Sequence, residues 1–99
     1  MEMAMTDEVE VIEDYRLLHF DLGTIEQVKI MRVPESEKFP DGVKYRMHYG
    51  HIGGEDEPII RYDNSHGYHE KHVGDDVEEI DFPGISPLYA RFRDHLPDD

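Results

Sequence analysis

The strictest pattern in the chain lies at residues 43–49, where Val43, Tyr45, Met47 and Tyr49 alternate with Lys44, Arg46 and His48. A period of two sends successive side chains to opposite faces, so this segment reads as a strand with one apolar and one basic side. Gly53, Gly54 and Pro58 mark a loop, after which Ile60 and Tyr62 continue the apolar phase and Arg61 and Asp63 the polar one. If the two strands pair as a hairpin, Lys44, Arg46, His48, Arg61 and Asp63 share one sheet face in any register that shifts by twos. The other face is core.

The flanking segments extend this frame. Residues 15–22 are rich in strand formers, and Asp21, Leu22, Gly23 and Thr24 supply a turn before a second β-branched run at residues 25–33. Within that run the apolar phase shifts from Val28 and Ile30 to Met31 and Val33, which predicts a bulge or a strand buried on both faces. Pro34 and Pro40 bracket a polar loop. Residues 77–82 read as the last strand, ended by Pro83 and Gly84. Ser86 before Pro87 has the form of an N-cap followed by an N1 proline, and Ile85, Leu88, Tyr89, Phe92 and Leu96 follow at helical spacing. Arg91, Arg93 and His95 suit the C-terminal end of that helix, and Pro97 stops it. The expected fold is therefore α+β: one domain over residues 15–97, a twisted antiparallel sheet of about five strands with a C-terminal helix packed on one face. Tyr45, Met47, Ile60, Tyr62, Ile80, Phe82, Leu88 and Phe92 are its expected core. Residues 1–14, with six acids and no basic residue, read as a frayed terminus or a short edge segment.

Ninety-nine residues allow one modest core, so a surface groove is a more natural site than an enclosed cofactor cleft. The absence of cysteine removes disulfides, thiol catalysis and cysteine-ligated zinc, and fits residence in the cytoplasm. No apolar run approaches the roughly 20 residues that span a bilayer. Twenty-four acids against ten Lys and Arg give a formal charge of -14, which opposes nucleic-acid binding if the charge is spread evenly. It is not: residues 27–34 and 42–54 contain no carboxylate but carry Lys29, Arg32, Lys44 and Arg46. Four lysines and acids placed in loops and at both ends are the composition expected of a protein from a halophilic cytoplasm, where molar salt screens repulsion over about 3 Å, the rival account being an acidic tail that mimics nucleic acid.

Residues 61–72 concentrate the reactive groups: Arg61, Asp63, Asn64, His66, His69, Lys71 and His72. Histidine titrates nearest neutrality, so the three imidazoles could move protons or ligate a metal while Arg61 and Lys71 supply fixed charge. Spacing of His66, His69 and His72 at threes does not by itself make a zinc site, since Gly67 and Gly74 disfavour a helix and no defined fourth ligand accompanies them. The expectation is no bound metal and no cofactor. Cleavage of a phosphodiester needs a base, an acid and cations against the charge that develops on phosphorus. His69, His72, Lys71 and Arg61 could provide them, with Lys44, Arg46, His48, Asp63, Asn64 and His66 holding substrate. The plainer alternative is a solvated face on which Arg61 and Asp63 simply pair.

The order of these segments resembles a known family. A tyrosine-bearing strand (Val43, Lys44, Tyr45, Arg46, Met47) comes first, followed by an Arg61-Tyr62-Asp63-Asn64 box. A short glycine-containing insert, a His69-Glu70-Lys71-His72 box and the Phe82, Ile85, Leu88 approach to a terminal helix complete it. Together they are similar to the TumE-like family, toxin components of type II toxin–antitoxin pairs. The resemblance implies a growth-inhibiting protein held by a cognate antitoxin, and ribonuclease activity by analogy with messenger-RNA interferases of similar size. Two other functions fit the same residues: a non-catalytic protein-binding or regulatory module, and a histidine-ligated metal-dependent hydrolase. Oligomeric state is not legible.

Overall fold

A computed structural model describes residues 9–54 and 57–97. Six strands run in the order of the chain: β1 (Glu10–His19), β2 (Thr24–Arg32), β3 (Val43–His51), β4 (Ile60–Asp63), β5 (Glu70–Val73) and β6 (Asp76–Glu79), followed by α1 (Ile85–Arg93). Each strand pairs antiparallel with the next, giving a plain meander. The alternating segment at residues 43–49 sits centrally in it, and its pairing with β4 sets Arg46 against Asp63 and His48 against Arg61. Lys44, Arg46, His48, Arg61 and Asp63 accordingly share one face.

The opposite face is covered by α1. Val28, Ile30, Tyr45, Met47, Tyr49, Ile60, Tyr62, Leu88, Phe92 and Leu96 form the core, with Ile80, Phe82, Ile85 and Tyr89 packed at its margin. Leu88 and Phe92 are fully buried, one helical turn apart, so a single stripe of α1 seals the sheet. Among the described residues no helix is long and apolar enough to cross a membrane.

Four expectations change. The sheet has six strands rather than about five, because the histidine-rich segment is itself a strand and hairpins through Gly74 into β6. β6 ends at Glu79, so Ile80 and Phe82 pack on the core from outside the strand. β1 begins at Glu10, so of the two readings of residues 1–14 the edge segment holds for residues 10–14; residues 1–8 lie outside the described ones. The phase shift in β2 is met by a bulge in its neighbour, between Val11 and Glu13, opposite Met31 and Ile30. At the helix, the N-cap is Gly84 at φ 109°, a left-handed position that favours glycine, and Ser86 lies inside the first turn without a capping bond.

Candidate functional site

The open face of the sheet is read most simply as rows across the strands. One row runs Asp14, Lys29, Arg46, Asp63, Glu70; the next runs Arg16, Gln27, His48, Arg61, His72. Antiparallel pairing brings directly opposed side chains about 4.5–5.5 Å apart at Cβ, so charges from sequence-distant positions become neighbours. At the β4–β5 end they converge. Arg61 Nε lies 3.3 Å from Asp63 Oδ2. His72 Nε2 lies 3.4 Å from that same oxygen and 3.3 Å from Glu70 Oε1. Arg61 Nη2 is 3.5 Å from His72 Nδ1.

The proton positions follow from donor chemistry. Arginine cannot accept, so in the neutral ring Arg61 Nη2 donates to Nδ1 and the imidazole proton sits on Nε2, between the two carboxylates. His72 Nε2 and Arg61 Nε are shielded from solvent but not aligned in a regular hydrogen bond with either acid. Asp63 is the fixed centre of the group: its side chain is 7 % exposed, against 14 % for His72 and 19 % for Glu70. Its other oxygen accepts from the Ser65 backbone N–H at 3.2 Å.

Among the described residues one group could hold a metal ion, Asp63, Glu70 and His72, whose ligand atoms lie within 4.8 Å of one another. Arg61 opposes that use. Its guanidinium already pairs with Asp63 Oδ2, and by donating to Nδ1 it leaves the proton on the nitrogen a metal would need.

Beside this cluster the same face forms an open groove of about 470 Å³, lined by Asp14, Arg16, Gln27, Lys29, Lys44, Arg46 and Ser65, with Tyr15, Val28, Met31 and Tyr45 at its floor. Four of its side chains are cationic and one is acidic. His48 lies next to the groove but is fully buried, and its ring fills the space left by Gly50, where an added Cβ would approach Nε2 to 3.0 Å. It can shape the floor but not reach a ligand.

The remaining expected residues separate. His69 and His72 are three apart, and in a strand that difference puts them on opposite faces. His69 lies on the covered side, stacked on Phe82 with ring centroids 4.3 Å apart and on Tyr45 at 5.8 Å. Both of its nitrogens are engaged, Nδ1 with Tyr45 Oη and Nε2 with Asp41 Oδ2, each at 2.9 Å. The Asp41–His69–Tyr45 chain has the order of a proton relay but ends on a phenol that is 2 % exposed. Burial, with the charges of Asp63 and Asp41 nearby, raises that phenol's pKa well above its ordinary value, so it is no nucleophile. Lys71 opposes Tyr62 on the covered side as well. Asn64 is structural: Oδ1 accepts from Tyr45 N–H and Nδ2 donates to Val43 O, both at 2.9 Å, closing the end of β4. His66 is 77 % exposed and approaches only Glu70, at 3.9 Å.

Glu70, Lys29 and Arg16 belong to the face and are missing from the expected site. Their signal is strand parity: Glu70 is two residues from His72, and Lys29 and Arg16 oppose residues of the basic strand or its neighbour. No curated protein and no solved structure matches the chain. The sequence does match a family model over nearly its whole length, through β1, both halves of the Arg61–His72 cluster and α1. That model, Toxin TumE, covers residues 4–98, and the chain belongs to the TumE family of toxins.

Proposed function

We propose that the chain is the toxin of a type II toxin–antitoxin pair, and that it is a metal-independent ribonuclease acting through the open face of its sheet. One observation carries this reading. Arg61, Asp63, Glu70 and His72 converge on the same face as Lys29, Lys44 and Arg46, beside an open groove of about 470 Å³. Cations along the groove would hold phosphates, and the cluster would stand at the scissile one.

In that arrangement Glu70 takes the proton of a ribose 2′-hydroxyl as its oxygen bonds to phosphorus. His72, carrying a proton on each nitrogen once Arg61 has turned from Nδ1 to the phosphate, delivers its Nε2 proton to the departing 5′-oxygen as the P–O bond breaks and is left as the neutral ring. The products are a cyclic phosphate and a free 5′-hydroxyl, with the transferred protons balanced between base and acid. Arg61 opposes the charge that builds on the phosphoryl oxygens, and Asp63 positions both Arg61 and His72.

The test is growth arrest on expression without the antitoxin, paired with RNA cleavage by purified protein. His72→Ala should lower cleavage by roughly 100- to 10,000-fold with the fold intact. His69→Ala should instead lower the melting temperature while its folded fraction still cleaves. Excess chelator should leave the parent's activity unchanged. If folded His72→Ala arrests growth as well as the parent, toxicity comes from binding a target. Loss of cleavage in chelator would move the same residues to the hydrolase reading.

A further inference from the structure

β1 is the outer strand of the meander, ten residues long, and no strand among the described residues pairs with its free edge. Proteins usually guard such an edge with proline, lysine or shortness. β1 has neither residue; its guards are its charges and the bulge at Ile12, and between them it still displays Val11, Ile12, Leu17 and Leu18 at 55 %, 42 %, 48 % and 37 % exposure. A row of unsatisfied backbone groups flanked by apolar side chains is a template for another strand.

The sequence of β1 selects which strand. Two copies related by a two-fold axis perpendicular to the sheet run antiparallel, and opposed residues must then point to the same face. Pairing with β2 fixes that facing: Glu10, Glu13, Tyr15, Leu17 and His19 on the covered side, Val11, Asp14, Arg16 and Leu18 on the open side, with Ile12 the extra residue of the bulge. An axis at Glu13, Asp14 or Arg16 would set like charges face to face, and an axis at Leu17 would leave half of the strand unpaired. An axis at Tyr15 sets Asp14 against Arg16 of the second copy, twice. Beyond the bulge it sets Val11 against Leu18 and Glu10 against His19. The one skipped residue, Ile12, keeps the new ladder in phase as it already does the ladder to β2. Glu13 against Leu17 lacks complementarity, and Glu10 and His19 are already engaged within their own chain, by Arg32 and Glu26, so the register rests on the two Asp14–Arg16 pairs and the Val11–Leu18 contacts.

We propose that β1 pairs with β1 of a second copy about a two-fold axis at Tyr15, fusing two sheets into one. The consequence for the open face rests on the ribonuclease reading, although the pairing itself does not. Asp14 is the one acid lining the groove, and Arg16 of the second copy neutralises it. The two grooves then meet at the axis as a single cationic trough suited to a polyanion longer than either groove alone.

Sedimentation of the purified chain should give twice the 11.6 kDa chain mass. Arg16→Asp, which sets two acids face to face at each crossing, should give a folded monomer by circular dichroism. The charge-swapped double variant, Asp14→Arg with Arg16→Asp, should restore the dimer. Because the chain has no cysteine, Val11→Cys mixed with Leu18→Cys should form a disulfide between copies, reporting the register. A parent that stays monomeric, or a dimer indifferent to Arg16→Asp and rescued by nothing, overturns the proposal. So does a parent monomer whose complex with the antitoxin is lost in Arg16→Asp, which would assign the edge to that partner. A dimer with the expected charge dependence that fails to bind RNA leaves the pairing standing and removes only the ribonuclease reading.

Discussion

Both faces of the sheet carry a buried carboxylate beside an arginine, and the two clusters are built to different ends. On the covered face Glu26, 1 % exposed, accepts from Tyr15 Oη at 2.6 Å, pairs with Arg93 of α1 and has His19 Nε2 at 3.4 Å. Tyr89 of the helix meets Tyr15 Oη at 2.9 Å. Arg93 and Tyr89 join the helix to Glu26 and Tyr15 of the strands beneath it, and His19 braces Glu26 from β1, so the cluster is a clamp. On the open face Asp63 holds Arg61 and His72, all from adjacent strands, and what they present leads to a groove instead of another element. The histidines repeat the contrast: His69 is stacked and bonded at both nitrogens, whereas His72 keeps a proton poised between two acids. A shared residue vocabulary therefore does not mark a site. What distinguishes one is whether its polar groups tie the fold together or converge beside an opening.

This division can be broken or sharpened by measurement. The largest effect on stability is expected at Phe92, which is fully buried beneath α1: truncation to alanine should cost about 3–5 kcal/mol in denaturant unfolding. A near-neutral result would mean the helix does not seal the core. Next comes the pair of carboxylates. Glu26→Ala leaves Arg93 and Tyr15 without their acceptor and should cost about 3 kcal/mol, while Glu70→Ala should cost about 1 kcal/mol or less and act on cleavage. Equal costs would erase the distinction between clamp and site.

Alkali probes the covered face through its phenols. Burial raises the pKa values of Tyr15, Tyr45 and Tyr62, with the Glu26 hydrogen bond adding to the effect at Tyr15. The fold resists their ionisation, so their contribution is complete below the ordinary value of 10.0 and is lost as pH rises beyond it. Phenolate absorbance from these three should appear together with unfolding, not before it. The smallest effect is expected at His95, an exposed residue whose ring is partly desolvated against Tyr62, which lowers its pKa, with Lys71 lowering it further. There the unfolded chain takes up a proton first, so stability is full above the ordinary 6.5 and declines as pH falls through it. His95→Gln should flatten that decline in thermal melts taken from pH 7 to 5.

Much of the open face is legible in the sequence because period-two alternation determines facing without knowledge of register. Val43, Tyr45 and Met47 against Lys44, Arg46 and His48 already divide the central strand, and Arg61 with Asp63 extends the division. The division fails where turn signals override the alternation. Gly67 and Gly74 make the histidine segment look like one loop, which invites reading His66, His69 and His72 by their spacing. Once residues 70–73 are a strand, parity separates His69 from His72 and unites Glu70 with His72. β6 offers even less, since Asp76, Val77, Glu78 and Glu79 are all exposed and carry no buried alternation. The helix cap is misread because Ser86–Pro87 matches a local preference, while Gly84 can take a backbone angle the chain needs at its exit from the core. The centre of the core is legible, at Tyr45, Met47, Ile60, Tyr62, Leu88 and Phe92, whereas Val28, Ile30, Tyr49 and Leu96 are absent from the expected core and Ile80 and Phe82 lie only at its margin.

The meander has a consequence for how this molecule is made. Each strand meets its partner immediately after the preceding turn, so the sheet can assemble in the order of synthesis with short loop closures and little waiting for distant segments. Among the described elements only α1 must travel, following the six strands and returning to β3 and β4 to close the core. Until Leu88 and Phe92 arrive, the nascent sheet shows its apolar side to the cell. Maturation of the toxin therefore hinges on its final docking step, and the interval before it is when an incomplete chain is most open to capture, proteolysis or self-association.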